Sequence, residues 1–153
     1  MLATRASRHD DKRDDRTWRR ILLCYDDSVE AERALERVAE LAASMRSRVT
    51  VVSVVEQTYQ TGPFSGAVDP IEAKAHTRVL EKALWALSDR GIEAATLNLT
   101  GTPAESIVDA AHETGADLVV VGSRQRSVVR RLLSGSVSAD VAAEAPCDVL
   151  VVR

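Results

Sequence analysis

A basic segment near the end of the chain contains the residues whose types and spacing could do chemistry. It spans residues 122–138, follows the apolar run 118–121, and carries four arginines, at positions 124, 126, 130 and 131, and no acidic residue. Glycine lets a ligand approach the backbone closely. Gly135 and Ser136 are typical of a helix start, where free N–H groups and the helix dipole favour an anion. The segment therefore predicts an anion site in which arginines such as Arg124 pair with phosphate. The alternative is an ordinary connection between a strand and a helix.

The glycines of this segment resemble a nucleotide-binding pattern of the universal stress protein family. That family carries Gly-x-x-Gly-x9-Gly-Ser/Thr after its fourth strand, and its nucleotide-binding members use the pattern to hold ATP. Gly122 fits the first position and Gly135-Ser136 fits the last two, whereas Gln125 stands at the middle glycine. The resemblance covers residues 20–153. It implies that the ligand is ATP or another adenine nucleotide, which can carry a divalent metal bound through the phosphates.

Strand and helix signals alternate along the chain and must position this segment. Helical spacing follows Ser28, Asp69, Thr102 and Ser136, each a residue type that favours a helix start. The alternation predicts an α/β fold with a parallel sheet and helices on both faces. The resemblance adds a Rossmann-like fold, similar to that of the adenine nucleotide alpha hydrolases, with strand order 3-2-1-4-5. The five strand signals lie at residues 21–25, 49–55, 95–99, 118–121 and 148–153.

A crevice forms in such a sheet at the carboxyl ends of the two strands where the order reverses, here the first and the fourth. The resemblance places Asp26 in the nucleotide pocket and the backbone of Val54 against adenine. The alternatives are a turn cap for Asp26, a core role for Val54 and a helix N-cap for Ser136. The predicted nucleotide-binding residues are Tyr25, Asp26, Val54, Gly122, Arg124, Gly135, Ser136, Val137 and Ser138.

The domain boundaries follow from composition. Residues 1–18 alternate arginine and aspartate with little apolar surface, which predicts a disordered tail. Residues 19–153 then form one domain. Trp85 lies in the apolar end of the second helical segment and is assigned to the core.

Several function classes are excluded by the composition. The net charge of −3 supplies no basic field for nucleic acid, and no apolar run reaches the ~20 residues of a membrane span. Two cysteines make no disulfide framework, so we expect reduced thiols and a cytoplasmic protein. The three histidines have no metal-ligand spacing, and no nucleophile or phosphate-loop lysine motif is present. We predict no catalytic residue and no metal ligand.

The last strand predicts a homodimer. It contains Val149, Leu150, Val151 and Val152, and the order 3-2-1-4-5 places it at a sheet edge. An apolar edge invites pairing with another chain, and a two-fold contact closes after one partner. Relatives in the resembled family dimerise through the same strand. The alternative is a covered edge and a monomer.

Three functions remain open at this point. The first is a dimeric stress-response protein that binds an adenine nucleotide. The second is a family member that has lost ATP binding, because Gln125 replaces a glycine, and that acts through protein partners. The third is a slow ATPase.

Overall fold

The computed structural model describes residues 2–4, 18–56, 70–123 and 136–153, which contain six strands and four helices. In chain order these are β1 (Leu2–Thr4), β2 (Arg20–Cys24), α1 (Val29–Met45), β3 (Arg48–Glu56), α2 (Pro70–Ser88), β4 (Ala94–Gly101), α3 (Pro103–Thr114), β5 (Leu118–Gly122), α4 (Val137–Glu144) and β6 (Asp148–Val152).

The six strands form one sheet in the order β1-β6-β5-β2-β3-β4. All neighbours from β2 to β6 pair in parallel, whereas β1 pairs antiparallel with β6. The five predicted strands correspond to β2–β6. The predicted parallel sheet with order 3-2-1-4-5 is therefore confirmed, and β1 is an addition that the sequence did not predict.

Two apolar clusters fill the space between the sheet and its helices. On one face, α1 and α2 cover strand residues such as Ile21 and Leu23. On the other, α3 and α4 cover residues such as Leu22 and Val119. The central strands are buried on both sides, which explains why β2 and β5 consist of consecutive apolar residues. Within the described ranges, no helix has both the length and the apolar character that crossing a bilayer requires.

The helix starts follow the sequence signals in part. Ser28 accepts a hydrogen bond from the Ala31 N–H, and Ser136 caps α4 in the same manner. Thr102 precedes α3 without a side-chain cap bond, and Pro103 at the first helical position needs no acceptor for a backbone donor. Asp69 lies outside the described residues.

The amino-terminal region differs from the predicted disordered tail at two places. Leu2–Thr4 form β1, and Trp18 is half-buried with its indole N–H donating to Asp148 Oδ2 at 3.0 Å. The Trp18 carbonyl accepts a hydrogen bond from Ser47 Oγ. The edge of β6 offers backbone groups to any extended segment, so pairing there does not require an apolar sequence pattern. Residues 5–17 lie outside the described residues.

Trp85 is 75% exposed, so its assignment to the core is wrong. The sheet-facing residues of α2 include Ala83 and Leu87, both fully buried. At about 100° per residue, position 85 lies about 200° from either of them and therefore faces outward.

We expect Trp18→Phe to lower the free energy of unfolding by about 1–2 kcal/mol, because it keeps an aromatic ring but removes the hydrogen bond to Asp148. Trp85→Phe is the matched control and should change it by less than about 0.5 kcal/mol, because Trp85 is exposed. Urea unfolding followed by circular dichroism measures both. Equal effects of the two substitutions would contradict a structural role for Trp18.

Candidate functional site

The crevice predicted from the strand order lies between β2 and β5. These strands pair in parallel, with Leu23 opposite Val120, so their carboxyl ends lie side by side. From these ends the chain continues into α1 and α4, and the two connections lead to strands on opposite sides of the pair. Two helix N-termini therefore lie at the same end of the sheet, the end formed by the carboxyl ends of the parallel strands. This is the arrangement in which open α/β sheets bind ligands.

Gly122 ends β5 directly beside the start of α1. A Cβ atom at this position would lie 2.7 Å from both the backbone carbon and the backbone oxygen of Glu30. The sequence argument required glycine here so that a ligand could approach the backbone. In the structure, the atoms that a side chain would meet belong to α1. The glycine allows the first turn of α1 to pack against the end of β5, and this packing brings the helix N-terminus to the crevice.

The start of α4 carries the other predicted backbone donors. Ser136 is the N-cap, and its Oγ accepts the Ala139 N–H at 3.2 Å. Among the described residues, the backbone bonds of this helix begin with Ala139 and Asp140, which both donate to the Ser136 carbonyl. The N–H groups of Val137 and Ser138 precede these bonds and belong to the first turn, where the helix dipole favours an anion. Ser136 therefore serves as the helix cap, and the backbone donors beside it suit an anionic ligand.

The residues predicted on β2 and β3 divide between the crevice and the core. Asp26 is exposed, and its Oδ1 accepts the Ser28 N–H at 3.1 Å, which is the turn that the sequence offered as an alternative. The Tyr25 side chain is buried among the apolar residues under α1 and α2. Val54 is half-buried and packs on the opposite face of the sheet. Because the side chains of Tyr25 and Val54 are packed in the two apolar clusters, only the backbone atoms of these residues are available to a ligand.

A polar cluster beside the crevice was not predicted from the sequence. The Tyr25 hydroxyl donates to Glu32 at 2.6 Å and lies 3.3 Å from Asp27. The Lys82 ammonium donates to both carboxylates, at 2.5 Å to Glu32. Lys82 is on α2, so the cluster ties the turn after β2 and the first turns of α1 to α2. No sequence spacing links Lys82 to Asp27, and the left-handed conformation of Asp27, φ 63°, is an observation of the structure.

The cluster is electrostatically satisfied. Hydrogen bonds from Lys82 hold the pKa of Asp27 and of Glu32 below the ordinary values, with a further contribution from Tyr25. Burial, followed by the hydrogen bond to Glu32, raises the pKa of Tyr25. The carboxylates are therefore ionised and the phenol is protonated at neutral pH. The lowered pKa makes each of them a weaker base than a free carboxylate.

Ser123, just after β5, was also not among the residues predicted from the sequence. It follows Gly122, is 8% exposed, and donates its backbone N–H to the Val152 carbonyl at 2.7 Å. Arg124 and Gly135, together with Gln125, lie outside the described residues. No cluster of three potential metal ligands occurs within the described ranges.

Both cysteines are free. Burial raises the pKa of Cys24 to about 12, and the charge of Asp26 adds to this effect. Burial likewise raises the pKa of Cys147 to about 12. Such thiols are protonated at neutral pH, so little of the reactive thiolate form is present.

Comparison with known proteins assigns the family. The sequence pattern of the Universal stress protein family matches residues 17–153. The chain belongs to this family. Universal stress protein YxiE of Bacillus subtilis (strain 168) is 31% identical over 147 residues, which cover 89% of this chain and 99% of that protein.

Solved structures of relatives share the fold. A universal stress protein in complex with cAMP has a TM-score of 0.71 and 26% identity, and the match covers 90% of this chain and 98% of that one. A universal stress protein from Archaeoglobus fulgidus in complex with dAMP has a TM-score of 0.70 and 27% identity, over 89% of this chain and 98% of that one. Adenine nucleotides thus bind to relatives with this fold.

We expect Gly122→Ala to lower the free energy of unfolding by about 1–3 kcal/mol, because the added methyl group would displace the first turn of α1. Gly91→Asn is the control, since Gly91 has φ +72° and open space around it, and asparagine tolerates that conformation. Urea unfolding measures both. An alanine variant as stable as the wild type would show that α1 does not depend on a glycine at this position.

The Lys82 cluster predicts a pH-dependent stability difference. A carboxylate with a lowered pKa contributes stability above its ordinary pKa, 3.8 for Asp27 and 4.5 for Glu32, and loses it as the pH falls through the lowered value. Lys82→Met should therefore lower the urea midpoint at pH 7, and the difference from the wild type should shrink below pH 3.8. Lys74→Met is the control on the exposed side of α2. A difference that is independent of pH would contradict the ionic interpretation.

Proposed function

We propose that this universal stress protein binds an adenine nucleotide in the crevice between β2 and β5. The observation that carries the proposal is that two helices, α1 and α4, begin at the carboxyl ends of β2 and β5, where the strand order reverses. Both termini favour negative charge, and α4 adds backbone donors at Val137 and Ser138. Relatives with the same fold that were solved with cAMP and with dAMP support adenine as the base.

The phosphates belong at the start of α4 in this proposal. The N–H groups of Val137 and Ser138 donate to phosphate oxygens, and the Ser136 cap keeps the helix start in place. The sequence adds two further elements to this proposal. Arg124 and the neighbouring arginines pair with the phosphates, and Gly135 lets the backbone approach them closely. Asp26, in the turn after β2, and the backbone of Val54, on the neighbouring strand β3, face the nucleoside.

ATP is the nucleotide that the glycine pattern favours, with any divalent metal held by the phosphates. The described residues contain no group of three potential metal ligands that would hold such an ion independently. Asp27 and Glu32 are both bonded to Lys82, so the described part of the crevice favours binding over hydrolysis. Gln125 at the middle glycine favours the second function, in which the protein acts through partner proteins without ATP.

The assembly that we propose is a homodimer joined through β6, residues Val149, Leu150, Val151 and Val152. Its support is the apolar sequence of this strand and its place at the end of the parallel part of the sheet. The free edge predicted from the sequence is wrong for this structure, because β1 pairs with three residues of β6. The cytoplasm is the proposed compartment, because the two free, protonated thiols fit a reducing environment.

Val137→Pro tests the nucleotide site through the backbone. Proline removes the Val137 N–H, yet it is tolerated at the first helical position, and Ser136 already has the extended conformation (φ −80°, ψ 128°) that a following proline requires. We expect nucleotide affinity to fall about 10- to 100-fold, the effect of one lost hydrogen bond to a charged group, with little change in stability. Calorimetric titration with ATP, AMP and cAMP measures the affinity.

Val137→Ala is the matched control, because it shortens the side chain and keeps the N–H group. Its affinity should remain close to that of the wild type. Absence of heat with all three nucleotides at millimolar concentration in the wild type would refute nucleotide binding. Equal affinities of the proline and alanine variants would instead refute the role of the α4 donors.

A further inference from the structure

The amino-terminal strand occupies the edge of β6. Its register is antiparallel, with Leu2 opposite Val151, Ala3 opposite Leu150 and Thr4 opposite Val149. Backbone pairing alone defines this contact, and it covers three of the five residues of β6. Without β1, β6 would end the sheet, since its other neighbour is β5.

The residues of β6 hold its edge in a conformation that can pair with another strand. Val149, Leu150 and Val152 are buried beneath the helices, so the strand is held rigidly in an extended conformation. A rigid edge with unpaired N–H and C=O groups is a template for another strand. The pairing with β1 shows that this edge accepts an antiparallel strand.

We propose that β1 is an intramolecular cap on the docking edge, the edge of β6 at which the proposed homodimer forms, and that it competes there with the second copy. This inference rests on the homodimer proposed above and adds its regulation. Two β6 strands pair antiparallel about a two-fold axis, which uses the same edge in both copies. They need the backbone groups that β1 occupies, so capping and dimerisation exclude each other.

The surroundings of the edge suit a second copy. A surface cavity of about 240 Å³ adjoins the end of β6, lined by Arg33, Glu36, Arg37 and Glu40 of α1 together with Val152 and Arg153. Its charges are of both signs. A two-fold contact therefore does not bring two surfaces of one charge together, which would oppose association.

The competition depends on protein concentration. Residues 5–17 connect β1 to Trp18, which is bonded to Asp148 at the start of β6, so β1 is tethered close to its own edge. Short tethers give effective concentrations in the millimolar range. The cap pairs three residues, whereas two β6 strands offer five each. The cap therefore prevails at low protein concentration and the dimer prevails at high concentration.

Proline substitutions in the full-length chain test the cap. Adjacent residues of an antiparallel strand alternate between bonded and non-bonded pairs, so Ala3→Pro/Thr4→Pro removes a ladder donor whichever residue is bonded. We expect the dimer dissociation constant from sedimentation equilibrium to fall about 25- to 100-fold, because one net backbone hydrogen bond is worth a factor of about 5 to 10 and both chains must be uncapped. Ala6→Pro/Ser7→Pro, outside β1, is the matched control and should match the wild type. A double variant in β1 with the wild-type dissociation constant overturns the cap.

A covalent lock gives the opposite test. Leu2→Cys/Val151→Cys joins the directly opposed residues of β1 and β6, and each single cysteine variant is a control. Oxidation should yield a disulfide within one chain and a monomer at every concentration, and reduction should restore dimerisation. A disulfide between two chains shows exchanged strands and overturns the intramolecular cap. An oxidised, internally linked protein that dimerises like the wild type overturns the competition.

Val151→Lys separates failure of the cap from failure of the dimer. We expect this substitution to abolish the dimer, because Val151 lies on the docking edge. A wild-type dimer unaffected by Val151→Lys refutes the β6 interface itself, and monomers in every variant refute dimer and cap together. A dimer that Val151→Lys dissociates, but that the proline variants leave unchanged, refutes the cap alone. Nucleotide binding is measured separately by calorimetry.

Discussion

The close approach of Gly122 to the backbone of Glu30 is the contact on which the candidate site depends. It sets the first turn of α1 against the end of β5, although α1 itself follows β2. The parallel pairing of β2 and β5 makes this approach possible, because it places the two strand ends side by side. The helix that follows β2 thus contributes its N-terminus to a crevice that is bounded by β5 as well. Segments distant along the chain must come together to form this site.

Charge is distributed around the crevice in a manner that suits binding. Two acidic groups beside it, Asp27 and Glu32, are neutralised by Lys82 of α2. They therefore oppose an anionic ligand less than two isolated carboxylates would. The N-termini of α1 and α4 carry partial positive charge, which favours an anion in the crevice. This separation explains how a chain with net charge −3 can present an anion site.

The edges of the sheet impose a second constraint. The parallel part of the sheet has one edge strand on each side, β4 and β6, and β6 is the more apolar of the two. Its inner residues are needed for the core, so the chain cannot protect this edge by placing charge within the strand. Pairing with β1 meets the requirement through backbone groups alone. The same groups allow self-association, which links the oligomeric state to the amino-terminal residues.

The sequence by itself determined the parallel sheet, the helices on both faces and the end of β5 as the candidate site. Apolar runs, helix caps and glycine spacing are local signals that survive without knowledge of contacts. The tertiary structure alone decided that Gly122 accommodates a helix, that Lys82 bonds Asp27, and that β1 covers β6. These contacts join residues distant along the chain, or use backbone groups that every residue carries, so no residue pattern encodes them.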